Sequence, residues 1–287
     1  MTTHISNTFS FARLMMVMKR DLVENWRNNL HNLLSIYGAF LISALMSYVT
    51  ISDKTDSSIY FAYRLGFFIA VGFITFFVLH INAAHIMDVM NTKERRMAYL
   101  MLPATKAEKF VSRAIHVTLG TVVMIIVTLF LAEITRLMLF PLIGAPEVLQ
   151  HFCLFDFHEI FFDKFYWSEL DVTELEKFKN VAILNSISWF LASHSAFILG
   201  GTYFYKRPVV KTFGTIILGF TVLSFILSLW NPFHALPIVK FEVAIWTSCF
   251  IALAIVITNW ALSYYLFTRS QVTERVNFKF LHTQHMK

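Results

Sequence analysis

Charge is scarce in this chain. Of its 287 residues only 15% are Asp, Glu, Lys or Arg, where soluble domains carry about 25%, so a water-facing globule is a poor fit. Glycine and proline number nine and six, too few for disordered linkers or low-complexity tracts, and no internal repeat is visible. Cysteine is limited to Cys153 and Cys249, which belong to different segments, so neither a disulfide framework nor a metal set follows from their spacing. The motifs of an engine are missing as well. There is no G-x-x-x-x-G-K-[ST] loop, no G-x-G-x-x-G after a strand, no H-E-x-x-H, no C-x-x-C pair and no G-x-S-x-G elbow. A cleavable leader is not expected either, because the first apolar run begins only behind Arg13, Lys19, Arg20, Asp21, Glu24 and Arg27.

What is abundant is hydrocarbon: 57% of residues are hydrophobic and 31 are phenylalanine. A membrane helix needs about 20 mostly apolar residues, and six runs qualify: Leu33–Ile51, Leu65–Asp88, Ala114–Ile134, Val181–Tyr205, Thr212–Trp230 and Val243–Phe267. Such runs must be helical in lipid. The expected fold is therefore an all-α integral membrane protein. Residues 1–31 form an interfacial helix, 32–268 a six-helix transmembrane domain, and 269–287 a cytoplasmic tail.

Lysine and arginine orient the spans. With the N-terminus inside, 17 of the 24 basic residues and 6 of the 18 acidic ones fall on the inner face, a balance of +11 inside against −5 outside. Both termini are thus expected in the cytoplasm, in a multi-pass protein of the cell membrane. The formal charge of +6 is then mainly this bias, and it is not a nucleic-acid footprint. Ahead of the first span, Phe11, Met15, Met18, Leu22 and Trp26 share one helical face, with Arg13, Lys19, Arg20, Glu24 and Arg27 around the other. Such a helix lies in the interface plane among lipids, or packs on a partner. The one long connection, 144–180, is external in this topology and interleaves nine aromatics, Phe152 to Phe178, with charges, as a collar or cap would. Thr173 and Glu176 have capping-box form, which predicts that span four starts near Glu174 and projects beyond the lipid.

Several polar residues stand out against this background. His80, His85 and Asp88 cluster at the inner end of span two, and His116 begins the next helix. His85 and Asp88 share a helix face while His80 points elsewhere, so polar packing is favoured over a metal or proton relay. Glu133 and Arg136 sit three apart near the outer end of span three. A lone charge in lipid costs about 3 kcal/mol, so the pair must screen itself or face a cavity. Glu133, Arg136, His80 and Asp88 are therefore the candidates for a polar translocation path. Ser188, Ala192, Ala196 and Gly200 repeat every fourth residue, a small-residue packing face within the bundle or between subunits.

The segment NTKERRMAYLMLPATKAEKFVSR, residues 91–113, interrupts the apolar pattern with six basic residues. Pro103 disfavours helix at Leu102 and suits the first turn of a new one. The expected form is a short surface helix with Tyr99, Leu100 and Leu102 exposed or half-buried, a break, then a helix that continues as span three. Exposed apolar residues ringed by charge mark a protein contact.

This layout resembles the permease subunits of ABC-2-type transporters. The residues that carry the likeness are Glu94-Arg95-Arg96, Leu100-Met101-Leu102-Pro103 and Lys106-Ala107-Glu108-Lys109, with the interfacial helix before span one and SYYLFTRSQ after span six. In that family the segment is the coupling helix, seated in a groove of the ATP-hydrolysing subunit. The resemblance implies ATPase-coupling roles for Glu94, Arg95, Arg96, Leu102, Pro103, Lys106, Glu108 and Lys109. It also implies a second permease subunit, a homodimer by expectation, and export as the direction of transport, while the many phenylalanines favour a lipidic or amphipathic substrate over a small ion. No cofactor is expected on this chain, ATP and Mg being held by the partner. The sequence departs from the family in carrying Met97 and Ala98 where a glycine is usual, and in placing its bulk between spans three and four. Two rivals remain: a membrane enzyme using the span-end histidines, and a non-transporting immunity or sensing protein.

Overall fold

Apolar runs that meet lipid satisfy their backbone hydrogen bonds within the segment, and helix dominates here. The computed structural model describes residues 8–50, 58–154, 172–204, 206–230 and 241–269, and among these described residues there is no strand. The helices in chain order are α1 (Phe11–Glu24), α2 (Trp26–Val49), α3 (Ser58–Ala84), α4 (Lys93–Leu100), α5 (Lys106–Ile115), α6 (Thr121–Leu142), α7 (Val172–Tyr203), α8 (Pro208–Trp230) and α9 (Phe241–Thr268). Single 3₁₀ turns occupy Asp88–Met90 and Glu147–Leu149, and a π turn at His116–Gly120 joins α5 to α6.

Six stretches are long and apolar enough to cross a membrane: Trp26–Val49, Ile59–Met90, Lys106–Leu142, Val181–Tyr203, Pro208–Ile226 and Ile245–Thr268. They match the six expected runs in order, with corrected ends. The interfacial helix and the first span divide at Asn25, whose ψ of 13° leaves the helical range. Trp26 thereby belongs to α2 and not to the α1 stripe. The second span stops being α-helical at Ala84, because His85 and Ile86 bond back three residues, to the Asn82 and Ala83 carbonyls, and tighten the turn. The third runs from Lys106 to Leu142, about 55 Å at 1.5 Å per residue, so it overshoots a hydrocarbon core of about 30 Å. The helix that carries the fourth, α7, begins at Val172, close to the expected start. Thr173 therefore stands in its first turn and is not the cap.

The chain packs as two units. Arg20–Leu79 with Thr118–Lys177 is one; Met1–Lys19, His80–Val117 and Phe178–Lys287 make up the other. In the first, α2 and α6 lie side by side and parallel. Tyr37 hydroxyl meets Thr135 hydroxyl at 2.9 Å, and further along both helices the Tyr48 and Phe140 rings are 5.4 Å apart. Tyr63, Phe67 and Phe68 complete an aromatic core with Leu149 and Cys153. The end of α6 is closed by Gly144 at φ 68°, with Ala145 N–H donating to Phe140 O at 3.0 Å and Gly144 N–H to Pro141 O at 3.3 Å. This pattern satisfies carbonyls that a helix end leaves unpaired, and it turns the chain back so that Leu149 and Cys153 are fully buried.

In the other unit α7 and α9 are also parallel. Trp189 Nε1 donates to Ser248 Oγ at 2.8 Å, and Asn259 Nδ2 to Ser195 Oγ at 2.9 Å, rising together along both helices. Parallel neighbours separated by one crossing are what alternating spans require. The small-residue face of α7 is used inside the chain at one end. Ser188, Ala192 and Gly200 are buried, and a Cβ on Gly200 would fall on the Thr212 side chain, 2.8 Å from its Cβ. Next to it Gly201 admits the backbone of Ala84, whose carbonyl carbon would lie 2.8 Å from an added Cβ. By contrast, Ile217, Leu218, Phe220 and Leu223 are exposed on different sides of α8, as a helix that meets lipid would be.

Two apolar faces run along α1. Leu14 and Val17 are buried, and Val17 joins the core of Ala83, Ile86, Met90 and Phe110. The expected stripe lies elsewhere on the helix: Phe11 is 70% exposed, and Met15 and Leu22 are exposed too. It is available to an interface.

Candidate docking elbow

Thr92 and Thr105 fix the segment between spans two and three. Each holds an extended backbone, ψ 160° and 158°, and turns its hydroxyl to an unpaired amide of the helix it opens. Thr92 Oγ1 accepts from Arg95 N at 3.3 Å, and Thr105 Oγ1 from Glu108 N at 3.2 Å. Glu108 Oε2 returns to Thr105 N at 2.8 Å, completing a capping box. That box, and not proline, sets the start of α5. Pro103 lies in the connection between α4 and α5, where the reading from sequence had put it in the first turn.

The inner side of the elbow is braced. Tyr99, expected to be at least half-exposed, is 3% exposed, and its hydroxyl donates to Lys109 O at 2.8 Å. Lys109 Nζ donates in return to Leu100 O at 2.7 Å, a carbonyl at the end of α4 that no helical amide reaches. These two bonds tie α4 to α5 across the break. Glu108 is fully buried and receives Ser10 N at 2.6 Å and Arg13 Nη2 at 2.9 Å, so α1 hangs on the first turn of α5. Arg13 also donates to the Thr8 carbonyl. Lys106 Nζ reaches Thr268 O at 2.7 Å, at the end of α9, and Arg113 Nε reaches Ile86 O at 3.0 Å. Beneath these contacts Phe110 packs on Trp260, Tyr264 and Phe267.

Of the eight residues singled out for coupling, the structure turns three inward: Arg96, Glu108 and Lys109 are buried. The charges of Glu108 and Lys109 are spent inside the elbow and its supports. Glu94, Arg95, Pro103 and Lys106 are exposed and Leu102 is half-buried. Met101, which had no individual role in the sequence reading, is 78% exposed between them. Hydrogen bonds from its own amide and from the Thr92 hydroxyl hold the Glu94 carboxyl below the ordinary range. It remains an anion in the first turn of α4, where the helix dipole favours one. The outward face is therefore an apolar tip beside fixed charges of both signs, carried on a braced helix pair. A push on α4 reaches α1, α5 and α9 through named bonds.

The other polar candidates do not converge. His80 is buried, with Nε2 2.8 Å from Ser193 Oγ and its ring 6.0 Å from that of His194. His194 carried no signal in the sequence, being a single imidazole in mid-span. His85 bends back to Ile81 O at 2.7 Å, and Asp88 is exposed on a 3₁₀ turn, so the two do not share a helix face. Among the described residues no three His, Cys, Asp or Glu side chains are grouped as for a metal ion.

Glu133 and Arg136 form a fully buried two-pronged pair, Nε to Oε2 at 2.9 Å and Nη2 to Oε1 at 2.7 Å. Arg136 also donates to Leu149 O and His151 O, both at 2.6 Å, and Cys153 N donates to Glu133 at 2.6 Å. The pair pins the chain after α6 and does not face an open path. Residues 155–171, the larger part of the expected aromatic collar, lie outside the described residues, as does the tail beyond Arg269. Compared with known proteins, the chain matches no family model, no curated protein and no solved structure at a significant level.

Proposed function

We propose that this chain is the membrane-spanning permease subunit of an ATP-driven exporter, similar in layout to the ABC-2 class. The observation that carries the reading is the elbow. Its outward face presents Glu94, Arg95, Met101 and Pro103, while its inward face is bonded to three helices that lead to or along the spans. An ATP-hydrolysing partner seated on that face would shift helix arrangement only through contacts that differ between its nucleotide states. Leu102 and Lys106 flank the contact; Arg96, Glu108 and Lys109 are buried and do not touch the partner, and the last two hold the elbow in shape. Two copies of the chain would line the path, with a lipidic or amphipathic substrate, ATP and Mg remaining on the partner. On the basic-residue bias, the elbow lies on the cytoplasmic side.

The test is affinity purification of the full chain from its native membranes, with ATP hydrolysis measured in the eluate. The unaltered chain should bring down ATPase activity. Arg95→Glu combined with Met101→Glu should lower it at least about tenfold, the loss of an interface hot spot, while membrane insertion stays normal. An eluate of the unaltered chain without ATPase activity, or equal activity from the variant, would overturn the proposal.

A further inference from the structure

Where α7 ends, α8 begins and α9 ends, the three helices enclose a cavity of about 480 Å³, within the range of small-molecule sites. Ala196, Gly200, Phe204, Ile216, Leu262 and Tyr265 are among its lining residues. The two threonine hydroxyls in the wall are engaged by backbone. Thr212 Oγ1 donates to Pro208 O at 2.7 Å and Thr215 Oγ1 to Thr212 O at 2.9 Å. The interior thus offers hydrocarbon and little to hold a water. From Ala196 to Tyr203 it follows α7 for about 10 Å at 1.5 Å per residue.

The mouth has the opposite character. Lys211 Nζ stands 5.7 Å from the centre of the Phe204 ring, and Arg269 Cζ 4.3 Å from that of Tyr265. Both rings line the cavity and both cations are exposed. Lys106 adds a third charge by reaching the carbonyl of Thr268, the neighbour of Arg269. Lys206 and Arg207 are exposed on the turn between α7 and α8. No Asp or Glu occurs in residues 181–230 or 243–269, so the stretches that form the cavity supply no counter-charge.

We infer that this cavity holds one anionic phospholipid, with an acyl chain between α7, α8 and α9 and the phosphate at Lys211 and Arg269. A dry interior beneath a rim of cations at the span ends matches that molecule in both polarity and charge. Basic pockets between membrane helices bind anionic headgroups for this reason. A zwitterionic lipid would bring its ammonium to the same cations and gain less. The inference rests on the helices crossing a membrane. It does not rest on an ATPase partner, so either idea survives the other's failure.

The experiment uses the full chain purified in detergent, irradiated with phosphatidylglycerol bearing a diazirine on its acyl chain, or with the matching phosphatidylcholine, and mapped by peptide mass spectrometry. Adducts at residues 196–204, 212–216 and 262–266 should form with phosphatidylglycerol in excess by about 25-fold, taking about fivefold for each of two cations. Lys211→Gln with Arg269→Gln should abolish that excess, whereas Lys19→Gln with Arg27→Gln should leave it unchanged. Ala196→Phe, which fills the cavity and alters no charge, should lower adducts from both lipids. Equal labelling by the two lipids overturns the inference. So does labelling spread evenly over the lipid-facing helices, or its absence from the cavity with both probes, as when a second copy of the chain fills it.

Discussion

Arg136→Met is expected to destabilise the protein by about 3–5 kcal/mol, the cost of stranding one partner of a buried ion pair. The substitution leaves the Glu133 carboxylate with Cys153 N as its remaining donor, removes the donor of Leu149 O, and leaves His151 O only the weak Cys153 thiol. The bonds of the pair to each other, to Leu149 O and from Cys153 N lie where water does not reach, so the loss is mainly of desolvated bonds. Replacing both charges, Glu133→Gln with Arg136→Met, should recover a large part of the loss, because a neutral pair no longer demands a counter-ion. Thermal unfolding in detergent measures both. A single variant within about 0.5 kcal/mol of the unaltered chain, the range of ordinary surface changes, would show that the pair does not anchor this turn.

The second large effect falls on Glu108. Its carboxylate accepts from Ser10 N, Thr105 N and Arg13 at once, so Glu108→Ala removes the reach-back half of the capping box and the attachment of α1 in one step. Amide exchange at Ser10 and Thr105 should rise at least about tenfold, since local opening governs protection. Amides deep in α6 and α9 should keep their rates. Glu94→Ala, which changes an exposed carboxylate on the outer face, should leave Ser10 and Thr105 as protected as before. If Glu108→Ala leaves those two amides protected, α1 is held by Leu14 and Val17 alone and the elbow is not clamped by charge.

Much of this architecture was legible because lipid imposes a simple rule. Runs such as Thr212–Trp230 have one stable form, and their order follows from length and hydropathy. The break between Leu100 and Lys106 was legible too, from Pro103 and the residue before it, although the helix start was set by Thr105 and Glu108. Side-chain direction was not legible in the same segment. In a basic loop, charged residues read as solvent-facing, yet Arg96, Glu108 and Lys109 are buried, Glu108 against Ser10 N and Arg13 far away in sequence and Lys109 against the Leu100 carbonyl across the break. The same holds for α1. Its large Phe and Met side chains mark the exposed face, while the smaller Leu14 and Val17 make the packed one. The Glu133–Arg136 pair was visible from spacing alone, but its grip on Leu149, His151 and Cys153 was not, because the return of the chain depends on the Gly144 turn.

The account turns on what touches the outward face of the elbow. With Met101→Cys carrying a photoreactive group, irradiation of intact native membranes followed by mass spectrometry of the crosslinked peptide identifies that neighbour directly. The predicted product joins Met101→Cys to a chain that contains a phosphate-binding loop and hydrolyses ATP, and its yield changes when ATP is added. A product formed only with lipid, or labelling of that cysteine by an impermeant reagent from the external medium alone, would contradict the account.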